Sequence, residues 1–239
     1  MILELEQTIR FTTCDFNNYE QIVPFAILNN FQDIAAEHAE TCGVGFQKML
    51  NKNIIWVLAK IKYKVINQPK RYEYCRIKTW PKEPRRFESE REYLLLNDDG
   101  ILVKATSKWC LFDIKSNRIT LCKKEDFNGE FSNDINFKDG AFDLIPFEKE
   151  KSTFLFTYTV RHSDLDRNQH MNNAKYGTIV YDALMLSENE YIDELQIDYV
   201  SQAFLGDNIS IYVIKNNKER YIYGLKDENL VFKSLVKLL

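Results

Sequence analysis

Asp166, Asn168 and His170 stand at i, i+2 and i+4 within RHSDLDRNQHMNNAKY, the run from Arg161 to Tyr176. In an extended segment that spacing puts a carboxylate, an amide and an imidazole on one face. Such a set is costly to bury unless it is used. An imidazole can move a proton near neutral pH. A carboxylate can hold the ring's tautomer or stabilise its cation, and an amide N–H can meet a developing oxyanion. The helix expected next adds free backbone N–H donors at its start, with Asn172 or Asn173 as N-cap. Asp and Asn also favour turns and caps, so spacing alone leaves a purely structural role open.

The elements around this run are mostly strands. Ala59, Ile61, Tyr63 and Val65 alternate with Lys60, Lys62 and Lys64 inside Ile54–Ile66, the period of a half-buried strand with an exposed basic face. Further strands are expected over 72–80, 88–97, 101–113, 195–199, 209–215, 221–226 and 230–238, with a hairpin turn at Asn97-Asp98-Asp99-Gly100. Two stretches read as long helices. Pro24–Cys42 opens on proline and stops at Gly43, with Phe25, Leu28, Phe31, Ala35 and Ala39 as its apolar stripe. Asn173–Ser187 places Tyr176, Ile179, Val180, Ala183 and Leu184 at helical spacing.

The order short strand, helix, long strands thus occurs twice, and a polar, turn-rich stretch over 128–152 separates the copies. This predicts an N-terminal unit over 1–130, a linker over 131–150 and a C-terminal unit over 151–239. Ile9-Arg10 and Val160-Arg161 lie 151 positions apart, and at that offset Asp15, Asn17 and Tyr19 meet Asp166, Asn168 and His170. Such a repeat suggests a duplication in which one half lacks the histidine.

Composition narrows the function classes. The chain has 239 residues, 45% hydrophobic, with a formal net charge of −3, which suits a sizeable core and disfavours nucleic-acid binding. Five scattered cysteines (Cys14, Cys42, Cys75, Cys110, Cys122) with no C-x-x-C pair argue for reduced thiols, and three histidines with no Cys/His cluster offer no metal or cofactor motif. The first residues, MILELEQTIRF, lack a basic region before an apolar stretch, and no apolar run approaches a membrane span. The expectation is a cytoplasmic protein without a cofactor. Trp56, Trp80 and Trp109 read as sheet packing, His38 as a structural helix residue and His162 as a bystander.

The run Arg161, Asp164-Leu165-Asp166, Asn168, His170, Asn172-Asn173, Lys175-Tyr176 resembles the signature of the plant and bacterial acyl-ACP thioesterases. The likeness continues through Gln32-Asp33-Ile34-Ala35-Ala36, Gly43-Val44-Gly45, Trp56-Val57-Leu58, Thr79-Trp80 and Ala105–Asp113, covering essentially the whole chain. The resemblance implies α+β architecture: two tandem hotdog folds, each an antiparallel sheet wrapped around a long helix. It implies hydrolysis of fatty acyl-ACP with Asp166, Asn168 and His170 catalytic, and acyl carrier protein as partner. The family's strand after the helix carries Tyr, two residues, then Glu and often Cys. Here Tyr199-Val200-Ser201 leads into Gln202 and Ala203, which excludes a cysteine nucleophile and a Glu base at that site. His170 is then the expected general base, with Asp166 orienting it, Asn168 an oxyanion donor and Gln202 positioning water. Lys60, Lys62, Lys64, Lys82, Arg85 and Arg86 are candidates for meeting an acidic carrier. An acyl-CoA thioesterase, a hydroxyacyl-thioester dehydratase and a non-catalytic carrier-binding module are the competing readings, and a homodimer is left open.

Overall fold

A computed structural model describes residues 2–138 and 140–239. Eleven strands among them form one sheet: β1 (Leu5–Arg10), β2 (Ile54–Val65), β3 (Tyr74–Pro81), β4 (Ser89–Asn97), β5 (Gly100–Asp113), β6 (Arg118–Thr120), β7 (Thr153–Thr159), β8 (Ile192–Tyr199), β9 (Asn208–Asn216), β10 (Glu219–Lys226) and β11 (Asn229–Leu238). The order is β1-β3-β4-β5-β2-β8-β11-β10-β9-β7, with β6 paired to β5. Every pairing between these strands is antiparallel, and β2 meets β8 at the centre with Lys60 opposite Asp198. The order reads alike from both ends: β1, β3, β4, β5, β2 mirror β7, β9, β10, β11, β8. Two half-sheets joined edge to edge give the extended surface that the doubled element order predicts.

The helices are α1 (Pro24–Thr41), α2 (Phe46–Leu50) and α3 (Lys175–Leu184). Pro24 at the start of α1 gives up no needed N–H, and Gly43 (φ 75°) supplies the left-handed turn just beyond its end. The buried face of α1 is Ile27, Leu28, Phe31, Ile34, Ala35 and His38, whereas Phe25 and Ala39 of the expected stripe are half-buried. All five apolar positions expected on the second helix are buried. It ends at Leu184 rather than Ser187 because Met185 turns left-handed (φ 48°). The helices approach closely at Gly177, where an added Cβ would come within 2.7 Å of Leu28 Cδ1 and 3.3 Å of the Phe25 nitrogen. One apolar core built from both halves follows.

The basic face of β2 is not an open surface. Lys62 is buried, 2.8 Å from Asp143 and 3.2 Å from Glu194. Lys60 pairs with Asp198 at 2.7 Å, and Lys64 with Asp193 at 3.1 Å and Glu194 at 3.2 Å. Asn136 on one side and Asp143 on the other lie against this face. Asn136 donates to the carbonyls of Tyr93 and Ala105, and Gln196 exchanges hydrogen bonds with the Asp143 backbone. Periodicity identified the face correctly but could not show that a later segment covers it.

Candidate active site

The run from Leu165 to Met171 is a tight turn, not the extended segment that the i, i+2, i+4 spacing suggested. Leu165 and Met171 pair as an antiparallel bridge, the Asp166 N–H donates to the His170 carbonyl at 2.8 Å, and Gln169 sits left-handed at φ 63°. Asp166 Oδ1 accepts the backbone N–H of Asn168 (2.8 Å) and of His170 (3.2 Å), and its Oδ2 lies 3.4 Å from Asn168 Nδ2. This carboxylate therefore fixes the loop's backbone, an Asx turn, and makes no hydrogen bond to the imidazole. The His170 ring packs edge-on against Phe204, with centroids 4.9 Å apart, and the two residues pair through their backbones. Gln202 is exposed one residue before Ala203, whose carbonyl accepts the Met171 N–H.

Two of the donors expected at the start of the second helix are taken by Asn172, while the Asn173 N–H has no hydrogen-bond partner among the described residues. Asn172 takes the Ala174 N–H on its Oδ1 at 2.9 Å and the Lys175 N–H on its carbonyl, so Asn172 is the capping residue. Asn173 receives the Tyr199 hydroxyl on its carbonyl at 2.9 Å.

Asp166, Arg167, Asn168, Asn172 and Asn173 form one wall of a cavity of about 330 Å³, within the range of small-ligand pockets. The facing wall comes from the other half: Gln32, Asp33, Ala35, Ala36, Ala39 and Glu40 of α1, then Val44, Phe46 and Met49. Strand residues Ile55, Trp56, Ser89, Arg91 and Trp109 close it. Trp56 and Trp109 thus line the cavity as well as the sheet, while Trp80 does not. His170 and Gln202 are not among the lining residues, so the structure brings Asp166 and Asn168 to the cavity and holds His170 beside them through the same turn.

Sequence reasoning assigned no role to Asp33, Ser89 or Arg91. Ser89, Arg91, Tyr93 and Leu95 fall on one buried face of β4, so a charge at the second inward position was the available signal. The Arg91 guanidinium donates to His38 Nδ1 at 2.9 Å and to Thr79 Oγ1 at 3.2 Å. Because arginine only donates, Nδ1 of His38 is the unprotonated nitrogen. Burial, then the charge of Arg91, pushes the His38 imidazole down to about 4. Arg167 reaches across the cavity mouth, its guanidinium carbon 4.2 Å from the centre of the Phe46 ring.

The internal repeat is real in geometry but its offset is 149, not 151. The bridges Phe16–Ile22 and Leu165–Met171, the left-handed Glu20 (φ 60°) and Gln169, and the bonds from Val23 N–H to the Asp15 carbonyl and from Asn172 N–H to the Asp164 carbonyl all correspond at that shift. Asn17, Tyr19 and Gln21 therefore stand where Asp166, Asn168 and His170 stand. Asn17 Nδ2 donates to the Tyr181 hydroxyl of α3 at 2.8 Å, tying the first loop to the opposite helix. Gln32 is the counterpart of Tyr181, and there the cavity is open.

Two helices each wrapped by half of a continuous antiparallel sheet, with a polar turn of one half facing the helix of the other, define a tandem hotdog chain. Residues 4–128 match the acyl-ACP thioesterase N-terminal domain and residues 147–231 the acyl-ACP thioesterase C-terminal domain. The chain belongs to the acyl-ACP thioesterase family. A palmitoyl-acyl carrier protein thioesterase of Gossypium hirsutum, described as chloroplastic, is 28% identical over 192 residues, covering 72% of this chain and 46% of that protein. Its namesake in Arabidopsis thaliana is 26% identical over 189 residues, covering 72% and 46%. The chain spans about half the length of the curated relatives it matches. Among solved structures, an acyl-ACP thioesterase from Bacteroides thetaiotaomicron superposes with a TM-score of 0.88 at 20% identity, covering 99% of this chain and 98% of that one. A 12:0-ACP thioesterase from Umbellularia californica does so with 0.88 at 18%, covering 99% and 97%.

Proposed function

We propose that the chain hydrolyses the thioester of a fatty acyl group carried on acyl carrier protein, releasing the fatty acid and the carrier's thiol. The observation that carries this reading is the cavity itself. An apolar wall from Ala35, Ala36, Ala39, Val44, Met49 and Trp56 suits an acyl chain, and the polar turn of Asp166 and Asn168 stands at its side. The names of the relatives, all thioesterases or hydrolases of acyl carrier protein substrates, support the same substrate class.

In this reading Asn168 Nδ2 donates to the oxyanion formed at the thioester carbonyl. His170 is the general base for the attacking water and returns the proton to the departing thiolate. Asp166 acts through the turn, holding the backbone of Asn168 and His170 in place. Gln202 donates a hydrogen bond to the water and cannot take its proton. We place the protein in the cytoplasm, in keeping with five free cysteines.

A thiol-release assay over acyl-ACPs of increasing chain length tests the proposal. Faster release from acyl-ACP than from the matching acyl-CoA is the expected result. Equal rates on both would make it an acyl-CoA thioesterase, and a double bond without free thiol from a hydroxyacyl thioester would make it a dehydratase. Carrier binding without turnover would leave a binding module.

A further inference from the structure

We propose that Asp33 of α1 is a catalytic carboxylate: it accepts a hydrogen bond from the attacking water, across the cavity from Asp166 and Asn168. This rests on the thioesterase reading above. That reading supplies a proton acceptor in His170 and a donor in Gln202, but it leaves the second hydrogen of the water without a partner.

Three observations meet at Asp33. It lines the same cavity as Asp166 and Asn168, from the opposite half of the molecule. Its hydrogen bond among the described residues is accepted from Asn29 Nδ2 at 3.1 Å through Oδ2, which leaves Oδ1 for a ligand. The two-fold relation of the halves brings it near the turn. In the first half the Asn17 turn touches Tyr181, so in the second half the Asp166 turn faces Gln32, the residue beside Asp33. Partial burial, offset in part by Asn29, also raises the Asp33 carboxyl above the usual range, while the residue stays open to solvent on one side. The other charged groups lining the cavity are Glu40, Arg91, Asp166 and Arg167.

The step balances without any further reactant. Water, held by Asp33, attacks the thioester carbon while its other proton passes to His170. The carbonyl pair moves onto oxygen at Asn168, the C–S bond breaks, and the imidazolium proton goes to the thiolate. Asp33 keeps its charge throughout.

The fold supplies its own control. Asp182 occupies the position of Asp33 in α3, and burial raises it likewise, but it accompanies the turn of Asn17, Tyr19 and Gln21, which has no histidine. Initial rates on acyl-ACP are measured for the wild type, Asp33→Asn, Asp33→Ala and Asp182→Asn, with fatty-acid binding measured in parallel. Expected is a kcat about 10²-fold lower in both Asp33 variants, with KM and fatty-acid binding within about two-fold, and Asp182→Asn near the wild type. Asp33→Asn within about three-fold of wild-type kcat, or an equal loss of fatty-acid binding in both Asp33 variants, would overturn the assignment while leaving the thioesterase reading intact. A wild type that releases no thiol from acyl-ACP would end both.

Discussion

Asn17 and Asp166 hold the same place in the two halves and do the same structural work. Asn17 Oδ1 accepts the N–H of Tyr19 and of Gln21, both at 2.9 Å, as Asp166 Oδ1 accepts those of Asn168 and His170. An amide therefore suffices to build this turn. What the carboxylate adds is charge.

That comparison separates fold from chemistry at position 166. Asp166→Asn is expected to leave thermal stability nearly unchanged, since Asn17 already serves in the first half, while lowering kcat. Asp166→Ala removes both bonds to the turn and should cost about 1–2 kcal/mol as well. Denaturant melts paired with thiol-release rates check both. An Asp166→Asn variant as active as the wild type would show that only the turn matters.

The strand positions were legible because alternation runs long in this chain: β4, β5, β9 and β10 lie within two residues of their expected ends. The bounds of the first helix followed from Pro24 and Gly43 and the start of the second from Asn172, but its end at the left-handed Met185 did not. The shape of the run from Asp166 to His170 was not legible, because i, i+2, i+4 spacing fits both an extended face and an Asx turn. The left-handed Gln169 decides between them, and glutamine carries no signal for that conformation. Asp33 escaped notice for another reason: it reaches the cavity from the other half, which no local pattern encodes, whereas Arg91 left one local sign, a charge at an inward position of β4.

Lys62 illustrates how covering a face changes what a mutation does. Removing it takes away the buried member of the cluster, but Lys237 still reaches Asp143 and Glu194 and Lys64 still reaches Glu194, so Lys62→Ala should destabilise the protein by about 1–3 kcal/mol. Its effect on KM for acyl-ACP should be small. Calorimetry and kinetics on one preparation decide this, and a stable variant with a raised KM would restore β2 as a docking face.

The same cluster predicts an acid limb of stability. Burial pushes the carboxyls of Asp143 and Glu194 up, but the hydrogen bonds and charges of Lys62 and Lys237 outweigh it and leave both below their ordinary values. Each thus contributes stability that is present above the unfolded-state range of about pH 4–4.5 and is lost as pH falls below it. His38 adds a second limb at higher pH. Its imidazole, held down at about 4 in the fold, ionises near 6.5 when unfolded, so stability is full above about pH 6.5 and declines toward pH 4. In His38→Gln the slope of Tm between those two values should flatten, whereas the limb below pH 4.5 should remain. A wild-type Tm independent of pH from 6.5 to 4 would reject the neutral His38.

If the chain acts on acyl-ACP as proposed, then with β2 covered the carrier needs another positive surface. Lys82 is committed to Glu90 at 2.7 Å, which leaves Arg85 and Arg86, exposed on the turn before β4, and Arg167 at the cavity mouth. Acyl carrier proteins are acidic, while this chain has a net charge of −3, so encounter depends on such local charge rather than on the whole protein's field. If these arginines guide docking, kcat/KM for acyl-ACP should fall about ten-fold as salt rises from ~0.05 to ~0.5 M, because the screening length contracts over that range. A small acyl thioester without a protein carrier should show little change. Replacing Arg85, Arg86 and Arg167 together by alanine should lower kcat/KM for acyl-ACP at low salt and remove most of its salt dependence, with the small thioester again the reference. Arg167 also stacks on Phe46, so Arg167→Lys, which keeps the charge but loses the planar contact, separates steering from closure of the mouth. Equal salt dependence for the carrier-bound and the small substrate would reject electrostatic docking at these residues.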